Sequence, residues 1–64
     1  MITIEEMIKS DGENVNIYYT DGEILKNVYV IEYIETESEE EENCLELDKI
    51  LVLQSEIEKI EILD

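Results

Sequence analysis

Residues 14–35 read NVNIYYTDGEILKNVYVIEYIE, and their rhythm decides the fold. From Asn14 to Thr20 the side chains alternate, with Val15, Ile17 and Tyr19 on one face and Asn16, Tyr18 and Thr20 on the other. A period of two marks a half-buried strand, because successive strand residues point to opposite sides of the sheet. Asp21 and Gly22 follow, the favoured pair for a two-residue hairpin turn in which both central residues need positive φ. A longer strand is expected over about residues 23–35, with Tyr29, Ile31 and Tyr33 opposing Val28, Val30 and Glu32. Val30 and Ile34 break the one-sided pattern, so this strand either bends or is buried on both faces for part of its length.

Working outward, TIEEMIKSDG (residues 3–12) predicts a helix over about 3–10. Thr3 stands as N-cap with Glu6 three residues on, Gly12 follows as a stop, and Ile4, Met7 and Ile8 share one face. Beyond the hairpin, β-prone segments fall at about 44–47, 50–54 and 58–63, with Asp48 and Lys49 as a tight turn. One continuous strand across 44–54 is the competing reading. Ser55, Glu56 and Ile57 form a single turn before the last strand. The absence of βαβ spacing predicts one mainly β domain over residues 1–64, a short N-terminal helix followed by a four- or five-stranded antiparallel barrel.

Sixty-four residues bury only about 60% of their unfolded surface, so stability is marginal. Small domains of this kind add disulfides, a metal or self-association. Cys44 is the only cysteine and histidine is absent, which leaves no intrachain bridge and no means for a zinc site; a homo-oligomer is expected. Nineteen acids against four lysines give a formal charge of −15, which weighs against direct nucleic-acid binding. The chain shows neither a signal-peptide pattern nor a run long enough to span a membrane, and with its free thiol this predicts a cytoplasmic protein. At 44% apolar residues, gathered in Ile, Val, Leu and Tyr segments, the chain is expected to fold despite its acidity.

The order of elements, with IEEMIKSDGENVNIYYTDGEILKNVYVIEY (residues 4–33), resembles the Sm and Sm-like family, whose domains are small SH3-like barrels. Ile4 to Ser10 match its helix, Val15, Ile17 and Tyr19 its first strand, and Asp21 with Gly22 its turn. The resemblance implies edge-strand pairing into rings or smaller oligomers. Three features depart from the family. A glycine expected in the second strand stands as Asn27, the Arg-Gly pair near the last turn is missing, and the loop that offers asparagine and aspartate to a base is a glutamate run. RNA binding is therefore not expected to carry over.

That run, ETESEEEEN over residues 35–43, holds six glutamates in nine positions. Its bland reading is a solvated loop that protects a sheet edge; its functional reading is an acidic array facing a partner's Lys and Arg cluster. The spacing lacks the alternating oxygen ligands and glycine of a calcium loop. Glu13, Glu23, Glu32, Glu46, Asp48, Glu56, Glu58 and Glu61 extend the acidity along the strands, which favours the functional reading. The tyrosines read as core or as a surface patch of Tyr18 with Tyr29 or Tyr33, and Cys44 reads as a small buried hydrophobe. Acid pairs are too plentiful to be diagnostic, and so small a domain is expected to leave little room for a pocket of about 300 Å³ or more.

The expectation is a small acidic, non-enzymatic binding protein without cofactor that engages a basic protein surface through Glu35, Glu37, Glu39, Glu40, Glu41, Glu42 and Glu46. In character it is similar to the small acidic inhibitors of phages and mobile elements, such as anti-CRISPR and DNA-mimic proteins. The alternative is an Sm-like homo-oligomer that binds a small ligand or nucleotide signal at its subunit interfaces through Lys9, Lys26, Lys49 or Lys59. Clustered lysines favour that alternative, and dispersed lysines favour the acidic array.

Overall fold

Local chemistry sets the first element. In the computed structural model, which describes residues 2–63, the Thr3 hydroxyl accepts the Glu6 N–H at 3.2 Å and opens helix α1 (Ile4–Ser10). Gly12, at φ 75, turns the chain away. The expected apolar face is narrower than predicted: Met7 is buried, whereas Ile4 and Ile8 are exposed. The reason is length, since a seven-residue helix lying against the strands offers them little more than one row of side chains. Ser10 is the other buried residue, its hydroxyl donating to the Met7 carbonyl at 2.6 Å.

Six strands follow: β1 (Asn14–Tyr19), β2 (Ile24–Tyr29), β3 (Glu32–Ile34), β4 (Cys44–Leu47), β5 (Ile50–Leu53) and β6 (Ile57–Ile62). They form two three-stranded antiparallel sheets, β2-β1-β6 and β3-β4-β5. The mainly β expectation holds, but the sheets are not closed into a barrel. The strand expected over 23–35 is two strands, broken at Val30 and Ile31. Val30 still bonds to the β1 side, donating to Glu13 O at 3.0 Å and accepting from Gly12 N at 2.9 Å, while Ile31 N–H donates to Glu46 O at 2.8 Å. The bend, rather than two-sided burial of a straight strand, explains the apolar pattern around Val30. At the other end a 3-10 turn (Gln54–Glu56) separates β5 from β6 and sends them to different sheets.

The first hairpin also differs from expectation. Tyr19 N–H bonds to Glu23 O at 2.8 Å across a three-residue loop, and only Gly22 has positive φ, at 97. This is the longer hairpin in which a turn is followed by one left-handed residue. The Asp21 carboxylate fixes it by accepting the Glu23 N–H at 2.9 Å. Asn27 also adopts a left-handed φ of 52, where the β1–β2 register shifts. Asparagine tolerates that conformation better than other residues with a side chain, and the irregularity in register falls there.

Residues 44–54 form a hairpin and not one strand, with Leu47 paired to Ile50 and Lys49 at φ 71 in the turn. Ile2, Met7, Val15, Ile17, Val30, Leu45, Leu47, Val52 and Ile57 make one core between the sheets and the helix.

Candidate functional site

The acidic loop is built by its own short polar side chains. Asn43 Oδ1 accepts the Thr36 N–H at 2.9 Å, Thr36 Oγ1 accepts the Ser38 N–H at 3.1 Å, and Ser38 Oγ accepts the Glu40 N–H at 3.2 Å. Asn43 O also accepts the Gln54 N–H at 3.0 Å, tying the loop to the 3-10 turn. Each of these bonds satisfies a backbone group that a loop would otherwise leave to water.

The seven predicted glutamates do different things. Glu42 is an anchor: its carboxylate accepts from Ser55 N at 2.8 Å and from Ser55 Oγ at 2.9 Å. Glu41 accepts from the Thr36 hydroxyl at 3.3 Å. The exposed carboxylates of Glu35, Glu37, Glu39 and Glu40 make no hydrogen bond or ion pair among the described residues. Glu46 stands apart on β4, half-buried and directly opposite Glu32 on β3. Like charges facing each other across strands destabilise a sheet unless a cation comes between them.

Beneath the loop lies a groove of about 470 Å³, lined by Ile34, Thr36, Glu40, Glu41, Glu42, Cys44, Leu51 and Leu53. Strand register explains its floor. Ile34 pairs with Cys44 and Cys44 with Leu53, so these three form a row across β3-β4-β5, on the face opposite buried Leu45 and Val52. The next row on that face is Glu32, Glu46 and Leu51. Leu51 is 56% exposed, and Leu53 is also exposed. Cys44 is nearly covered, and burial pushes its thiol pKa up, with Glu46 adding to the effect.

A second groove, of about 480 Å³, lies between Leu25, Val28, Tyr29, Ile31, Leu47, Asp48 and Ile50. The expectation that so small a domain leaves little room for a pocket of about 300 Å³ or more is thus corrected. The second hollow lies between β2 and the β4–β5 hairpin, whereas the first lies on the outer face of β3-β4-β5 under the acidic loop.

Sequence reasoning missed Ile34, Leu51 and Leu53 as site residues. The signal was present in residues 50–53, ILVL, where apolar residues occupy both faces of one strand. The tyrosines divide: Tyr29 is exposed, Tyr33 is half-buried, and Tyr18 lies under Lys59, whose Nζ sits 5.3 Å from the ring centroid. Lys9, Lys26, Lys49 and Lys59 stand on α1, β2, the β4–β5 turn and β6, all exposed. Among the described residues no group of three or more Cys, Asp or Glu side chains converges to hold a metal, and no helix is long and apolar enough to cross a membrane. No family model, curated protein or solved structure matches this chain.

Proposed function

We propose that this protein is a small acidic, non-enzymatic binding protein that captures a basic protein surface with its 35–43 loop, in the manner of acidic inhibitors of nucleic-acid-binding or defence proteins. One observation carries the reading. The loop backbone is held by Asn43, Thr36, Ser38 and the Glu42 to Ser55 anchor, while the carboxylates of Glu35, Glu37, Glu39 and Glu40 are left to solvent. A loop whose only task is solubility needs no such framework. Clustered, positioned charge raises association rates by long-range attraction. The dispersal of the four lysines over four elements supports this reading against a phosphate-binding interface.

The finer fold assignment belongs with the proposal. The bent path from β2 into β3, the left-handed Asn27 and the 3-10 turn before β6 support an Sm-like domain open between β5 and β6. Those two strands end their sheets and support self-association, which the net charge opposes and added salt strengthens. A lone cysteine without a second one to pair with supports a cytoplasmic setting.

The test replaces Glu37, Glu39 and Glu40 with Gln and leaves the Glu42 anchor intact. Association with a lysine-rich peptide is then followed at two salt concentrations. Binding by the variant is expected to slow and to lose most of its salt dependence. Unchanged kinetics would reject the loop as the capturing surface.

A further inference from the structure

We propose that the partner segment taken by this surface is not purely basic: it carries an apolar side chain beside its Lys or Arg, and that side chain seats in the groove beneath the acidic loop. The inference rests on the reading of the loop as a capturing surface, and it names the partner's chemistry. A surface that copies nucleic acid would set carboxylates over a polar floor. Here the floor is the row Ile34, Cys44 and Leu53 with Leu51 beside it, and Glu40 and Glu41 stand at the rim.

Charge selects among possible occupants. Glu32 and Glu46 are paired on the adjoining row, so a cation placed next to the apolar floor would lie beside two carboxylates. A second copy of this chain brings a further −15 against the −15 already present. An apolar ligand without positive charge gains nothing from the rim. A short segment that combines lysine or arginine with leucine, isoleucine or phenylalanine satisfies both parts of the surface. Leu51 and Leu53 would lose their exposure to it, and Cys44 would lie beneath it.

The experiment uses two peptides of equal length and charge. One carries four lysines and two leucines, and its twin has serine in place of the leucines. Calorimetry on the intact protein is expected to show the leucine peptide binding about tenfold more tightly, the effect of burying one such side chain. In L51S/L53S that preference should vanish while the serine peptide binds as before. Both positions are exposed, so the fold should survive, and its circular dichroism checks this. As a positional readout, the leucine peptide should slow alkylation of Cys44 and the serine peptide should not.

Equal binding of the two peptides to the unmodified protein would overturn the groove inference and leave charge capture standing. Failure of both to bind would overturn both readings. Slower alkylation of Cys44 on raising the concentration of the protein alone would show that a second copy covers the face, and would also overturn the inference.

Discussion

The outer faces of the two sheets have opposite characters. On β2-β1-β6, polar groups satisfy one another: Glu61 Oε1 accepts from Asn16 Nδ2 at 2.8 Å and from the Tyr18 hydroxyl at 3.2 Å, and Asn16 Oδ1 accepts the Asn27 N–H at 2.8 Å. The Asn16 and Tyr18 hydrogen bonds hold the Glu61 carboxyl below its usual pKa. On β3-β4-β5 the corresponding face sets Glu32 against Glu46 and leaves Leu51 and Leu53 in water. Both faces expose apolar side chains, Ile24 and Tyr29 on the first and Leu51 and Leu53 on the second, but only the first pairs its carboxylate with donors. Acidity alone would not separate them, because both carry glutamates.

The largest effect should be indifferent to that contrast. Ile17 and Leu45 are fully buried on the inner sides of the two sheets and belong to one core. Ile17→Ala and Leu45→Ala should each cost about 2–5 kcal/mol in urea unfolding. Loss of structure in only one sheet, read by amide exchange, would break the picture of a shared core.

Next comes Tyr33, whose hydroxyl is buried without a hydrogen-bond partner among the described residues. Tyr18 on the other sheet has Glu61. Tyr33→Phe is expected to raise stability by about 1 kcal/mol, because it removes a desolvated polar group. For a domain of this size that corresponds to a rise of about 4–8 °C in Tm by calorimetry. A loss of stability would show that the hydroxyl has a partner.

Glu46→Lys should give a smaller gain, about 0.2–1 kcal/mol, by turning the Glu32 pair from repulsive to attractive. The gain should shrink in high salt. A thermal shift of the opposite sign would remove the repulsion from the account of this face.

The smallest effect concerns Glu61 and is read through pH. Its folded-state pKa lies below the ordinary value near 4.5, so its contribution is present above that pH and is lost as pH falls through the folded value. The difference in melting temperature between the native chain and Glu61→Gln should therefore be constant near neutrality and close below pH 4.5. A difference independent of pH would mean that the carboxylate's charge plays no part.

The sequence made some of this legible and hid the rest for physical reasons. Alternation in residues 14–19 and the cap at Thr3 are local signals, and the elements they predict are present. The bend at Val30 was audible only as a break in rhythm, since apolar residues on both faces fit a bend and a buried straight strand equally well. The anchoring of Glu42 depends on Ser55, 13 residues away, and no local pattern separates that glutamate from its neighbours. The groove floor is a product of register: Ile34, Cys44 and Leu53 become neighbours only when β3, β4 and β5 are aligned. Counting charges found the loop, and could not find what lies beneath it.

The joint at Val30 and Ile31 fixes the timescale on which the molecule can breathe. One residue hydrogen-bonds toward the first sheet and the very next toward the second, with no slack between them. Neither sheet can peel away without straining the other's first bonds, so a slow, whole-molecule opening should govern exchange at both amides. Deuterium should enter Val30 and Ile31 at closely matched rates, on the clock of global unfolding, while the acidic loop exchanges far sooner.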